Sequence, residues 1–75
     1  MKPSFGNQVI ELLVNGETRR IPAPATVGVL LDQMQLTGKR LAVERNGEIV
    51  PKSRHADTAL AMGDRLEIVV AVGGG

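Results

Sequence analysis

Residues 65–75 read RLEIVVAVGGG. In an extended chain successive side chains point to opposite faces, so Leu66, Ile68, Val70 and Val72 share one side. No other stretch is as strand-like or as apolar, which places it in the middle of a sheet. Gly73, Gly74 and Gly75 follow it directly. Three residues without side chains reach roughly 10 Å and can enter a channel too narrow for any other residue. Glycines are also common in loose chain ends, so the tail alone does not separate a functional terminus from an inert one.

Working back from this strand, the same alternation recurs. In VIELLVNGETRRIP (9–22), Ile10, Leu12 and Val14 share a face. Asn15-Gly16 is the dipeptide that a two-residue type I′ hairpin turn favours, and Thr18 to Ile21 return antiparallel until Pro22 and Pro24 end the pairing. LAVERNGEIVP (41–51) repeats the device, with Leu41 and Val43 inward, Asn46-Gly47 as the turn and Ile49-Val50 as a short strand. Between the hairpins, Val27, Leu30, Leu31 and Met34 fall at helical spacing. Thr26 is placed to cap that helix and Gly38 to stop it. Residues 52–64 form a connection in which Leu60 plugs the core and Gly63-Asp64 turn into the last strand.

The order is β-β-α-β-β-β, an α+β pattern. The economical arrangement is a mixed five-stranded sheet with one helix on one face and the first and last strands parallel neighbours at its centre. That is the β-grasp, or ubiquitin-like, fold; a five-stranded barrel is the alternative. The expected organisation is an N-terminal extension at 1–8, a folded domain at 9–72 and a flexible tail at 73–75.

Composition excludes several functions. The 75 residues contain no cysteine, so disulfides, thiolate metal sites and cysteine nucleophiles are absent. A net charge of +1 and a single aromatic residue, Phe5, give no footprint for nucleic acid. No run approaches the roughly 18 apolar residues of a membrane span. The N-terminus lacks the apolar core of a secretory signal, so a cytoplasmic location is expected. His55 has no second His or Cys nearby to make a metal site. Asp57 and Asp64 lack an acid–base partner, and Asp64 reads as a turn residue bonding local backbone. Arg19, Arg20, Lys39 and Arg40 read as solvated charge that at most tunes docking to an acidic partner. No set of nucleophile, base and metal marks a self-contained enzyme.

The segments LLVNGETRRIP, LAVERNGEIVPKSRH and GDRLEIVVAVGGG carry a family resemblance. The resemblance covers residues 9–75, nearly the whole chain. The chain resembles the bacterial sulfur carriers of thiamine biosynthesis, the ThiS family, within the wider ThiS/MoaD ubiquitin-like group. The resemblance implies a carrier and not an enzyme. An E1-like (ThiF-like) adenylyltransferase would activate the Gly75 carboxylate with MgATP. Sulfur from a cysteine desulfurase would convert it to a thiocarboxylate, and a thiazole synthase (ThiG-like) would take the sulfur. Gly73 and Gly74 would thread the partners' active sites. On the sheet face opposite the helix, Leu13, Val69 and Ala71 are expected to form one apolar docking patch at the root of the tail. Other readings of the same residues are a carrier for molybdopterin or another metabolite, a ubiquitin-like protein modifier, and an interaction module with an inert tail.

Overall fold

The computed structural model describes residues 8–71. Strand β1 (Val9–Val14) turns through Asn15-Gly16 into β2 (Glu17–Pro22). Helix α1 (Val27–Gln33) follows, then β3 (Leu41–Arg45), β4 (Glu48–Val50), a 3-10 turn (Lys52–Arg54) and β5 (Arg65–Val70). The sheet order is β2-β1-β5-β3-β4. β1 and β5 run parallel at the centre, and every other neighbouring pair is antiparallel. This is the β-grasp arrangement expected from the order of elements.

Both turns follow from their dipeptides. Asn15 and Gly16 have φ of 52° and 83°, Asn46 and Gly47 of 52° and 88°, so all four occupy the positive-φ region that a type I′ turn needs. The tight turns then set the registers, Val14 opposite Glu17 and Arg45 opposite Glu48.

The core lies between the helix and one face of the sheet. Leu12, Val14 and Ile21 come from the first hairpin, Val27, Leu30 and Leu31 from α1, Val43 and Val50 from the second hairpin, and Leu66 and Ile68 from β5; Leu60 closes it from the connection. Each buried Leu or Ile contributes roughly 1.5–3 kcal/mol relative to an exposed one. Val70 differs from the expected pattern. It is 38% exposed, because β1 has ended alongside it and only β3 covers that level. Val72 lies outside the described residues.

The helix starts where Thr26 predicts, its side-chain oxygen accepting the Val29 N–H at 3.2 Å. It does not run on to Gly38. Gln35 takes the left-handed position instead, at φ 61°, while its N–H donates to the Asp32 carbonyl and the Leu36 N–H to the Leu31 carbonyl at 2.8 Å. These paired bonds close a Schellman motif. The early stop packs Leu36 against the core, which continued helix would not do. Burial of a leucine outweighs the cost of about 1 kcal/mol for a non-glycine residue at positive φ. Gly38, at φ 86°, serves the next turn, which the Lys39 N–H closes on the Leu36 carbonyl. Gly28 sits in the first turn of α1, and its N–H donates to the His55 carbonyl at 2.8 Å.

Candidate functional site

β5 is staggered against β1. Leu13 lies beside Arg65 and Val14 beside Leu66, and there the parallel pairing stops. The second half of β5 therefore runs past the end of its central neighbour, while β3 accompanies it on the other flank as far as the Ala71 N–H, which donates to the Arg40 carbonyl at 2.8 Å. In an antiparallel pair, backbone groups point toward the partner at alternate residues only. Arg65 and Ala71 bond to the β3 side, so the N–H and C=O of Val70 face the flank that β1 has left.

The two turn asparagines both reach this central strand. The Asn15 side chain takes the place of a missing strand residue: its Nδ2 donates to the Ile68 carbonyl at 3.1 Å, and the Ile68 N–H donates to its Oδ1 at 2.7 Å. At the other end of β5, the Arg65 N–H donates to Asn46 Oδ1 at 2.9 Å, and Asn46 Nδ2 donates to Asp64 at 3.0 Å. Asp64 is buried. It also accepts from Arg45 Nε at 2.8 Å and from the Ala61 N–H at 2.8 Å. Asp64 is thus more than a local turn former, since it ties β3, the turn after it and the entry to β5 together. Burial pushes its carboxyl pKa up. The hydrogen bonds from Arg45, Asn46 and Ala61, with the charge of Arg45, outweigh that and hold it below the ordinary carboxylate value.

The predicted docking residues separate. Val69 is 66% exposed on the face opposite the helix, beside Ala42 of β3. Alternation puts Ala71 on that face too. Leu13 shares the face but neighbours Arg65, four residues before Val69, about 13 Å away along the strand. The three residues do not form one patch. The apolar residues near the root of the tail are Val69, Ala71 and Ala42. Ile49 follows on β4, opposite Glu44 and exposed. Ala42 and Ile49 were missed by reading each strand alone. The Asn46-Gly47 turn sets their register, and counting outward from it finds them. Gly73, Gly74 and Gly75 lie outside the described residues.

His55 is half-buried in the connection, its Nε2–H donating to the Val50 carbonyl at 3.1 Å. Among the described residues no three His, Asp or Glu side chains gather as metal ligands, and no helix is long and apolar enough to cross a membrane.

The ThiS family model matches residues 12–75. A thiazole synthase of Paramagnetospirillum magneticum is 48% identical over 66 residues; the match covers 88% of this chain and 20% of that one, so the chain spans a fifth of this relative's length. The sulfur carrier protein ThiS of Bacillus subtilis is 46% identical over 50 residues, covering 67% of this chain and 76% of that one. The crystal structure of a thiamine biosynthesis protein (ThiS) from Geobacter metallireducens superposes with a TM-score of 0.73 at 28% identity, over 88% of this chain and 100% of that one. The fold, the extent of the family match and the identity to the Bacillus carrier agree: the chain belongs to the ThiS family.

Proposed function

We propose that the protein is the sulfur carrier for thiazole formation in thiamine biosynthesis, and that the α-carboxylate of Gly75 bears the sulfur. One observation carries this reading: the family match runs through residue 75, and in sequence Gly73-Gly74-Gly75 follow the central strand β5 after two residues. A carboxylate is a poor acyl donor. Attack of its oxygen on the α-phosphorus of MgATP, with pyrophosphate leaving, makes an acyl-adenylate on an E1-like adenylyltransferase. The terminal sulfur of a cysteine-desulfurase persulfide then displaces AMP. A thiol reduces the resulting S–S bond and releases the thiocarboxylate, which thiazole synthase consumes. The chain supplies the acyl group that bears the sulfur in these steps, and the catalytic groups and the nucleotide site belong to the partners.

The test is the intact mass after incubation with MgATP, the adenylyltransferase, a cysteine desulfurase, cysteine and a thiol reductant. A shift equal to one oxygen replaced by one sulfur is expected, and it should vanish when Gly75 is deleted. No shift, with enzymes active on another carrier, would refute the carrier reading.

In the same assay Val69→Asp is expected to slow adenylation roughly tenfold, because a charge would enter the centre of the Val69–Ala42 surface that a partner must cover to receive the tail. Val69 is exposed in the free protein, so the unfolding midpoint should not move. Unchanged adenylation would remove Val69 from the interface.

A further inference from the structure

Lys39 and Arg40 stand on the helix side of the sheet, on a groove the carrier chemistry does not use. The groove holds about 300 Å³ between the loop after α1 and the Lys52–Ala56 segment. Its floor is apolar, made by Leu31, Leu36 and Leu41. Its rim is cationic, made by Lys39 and Arg40 on one wall and Lys52 on the other, and its lining contains no Asp or Glu. Among the described residues the ion pairs are Arg20–Glu11 and Arg45–Asp64, so none of the three rim cations is neutralised there.

The groove abuts the root of the tail. Arg40 lines it, and the Arg40 carbonyl holds the Ala71 N–H at 2.8 Å. Leu41 of its floor pairs with Val70. A protein that receives the tail from Ala71 onward must therefore sit beside this groove. The chemistry also narrows the occupant. Two backbone N–H groups of the lining are already committed, Gly28 to the His55 carbonyl and Lys39 to the Leu36 carbonyl. A small anion would meet long, solvated side chains above an apolar floor that it cannot fill. A peptide segment with an apolar side chain flanked by carboxylates satisfies both floor and rim.

We propose that this groove docks an acidic, apolar-centred segment of thiazole synthase. The proposal rests on the carrier reading. Its choice of partner follows from the relative named thiazole synthase, in which a domain 48% identical to this one occupies a fifth of the chain.

The experiment measures the affinity of the full chain for the thiazole synthase of the same organism at low and high salt, alongside the thiocarboxylate mass assay. The double variant Lys39→Glu/Arg40→Glu is expected to bind at least roughly tenfold more weakly at low salt, and the difference should shrink as salt rises. Lys52→Glu, on the opposite wall, should weaken binding in the same direction and covers the case in which the double variant fails to fold. Arg19→Glu/Arg20→Glu on β2 is the matched control and should stay within about twofold. Affinity unchanged in both groove variants, with thiocarboxylate still formed, overturns the groove and leaves the carrier standing. A wild-type chain that forms thiocarboxylate but does not bind the synthase also overturns it. Failure to form thiocarboxylate removes the carrier reading, and this occupant with it.

Discussion

Asp64→Ala is expected to cost about 2–3 kcal/mol of stability. The carboxylate accepts from Arg45, Asn46 and the Ala61 N–H from a buried position, so its removal strands three donors at once. Deleting one partner of a fully buried pair typically costs about 3–5 kcal/mol, and the loss here is smaller because the Arg45 side chain is one-third exposed and regains water. A domain of this size is stable by roughly 4–11 kcal/mol, so the loss is a sizeable share of the total. Urea unfolding at neutral pH measures the loss. The effect also has a pH signature. The folded-state pKa of Asp64 lies below its ordinary value, so its contribution is fully present above the unfolded carboxylate pKa of about 3.9. It is lost as pH falls through the lowered folded value. The gap between wild type and Asp64→Ala should therefore be constant from pH 7 to about pH 5 and narrow in stronger acid. A gap that persists unchanged at pH 2 would mean that the side chain acts by shape and not by charge.

Asn15→Ala is expected to cost about 3 kcal/mol, from two separable sources. The first is the backbone: at φ 52° an alanine pays about 1 kcal/mol that asparagine largely avoids. The second is the pair of hydrogen bonds to Ile68, each worth about 1 kcal/mol. Asn15→Gly separates the two. It keeps the turn and removes the side chain, so about 2 kcal/mol should remain lost. Amide exchange adds a local reading, since the Ile68 N–H should exchange faster in both variants. If Asn15→Gly matches wild type in stability and in exchange at Ile68, the asparagine is only a turn former.

Much of the fold was legible because the decisive signals are local. Asn15-Gly16 and Asn46-Gly47 each specify a two-residue turn, each turn sets a register, and the period-2 pattern of Leu12/Val14 and Leu66/Ile68 assigns the buried face. What stayed hidden depends on how separate strands are staggered. Nothing in the individual strands says that β1 meets only the first residues of β5, so Leu13 was placed with Val69 although it sits beside Arg65. The same stagger exposes Val70. The helix end was misplaced for a tertiary reason: Gly38 is the better local stop, but Leu36 gains more by entering the core. Asp64 reads as a turn residue from sequence because only the Ala61 N–H is local; its other two donors, the adjacent Arg45 and Asn46, lie nearly twenty residues away on the second hairpin.

The stagger also governs how firmly the end of β5 is held. Beyond Ile68, β5 is held by β3 alone, and Val69 is two-thirds exposed while Val70 is more than a third exposed. A pull on the chain end can peel Val69, Val70 and Ala71 from β3 one hydrogen-bonded pair at a time, without disturbing Leu66 or Ile68. Val69 and Val70 are already extended in β5, so their release adds no length along the strand and frees instead the direction in which the chain leaves the sheet. The peel then meets Ile68, gripped on its second flank by the Asn15 side chain. The inner limit of that freedom is Ile68, so the point about which the end of β5 can swing is set by one asparagine in a hairpin turn.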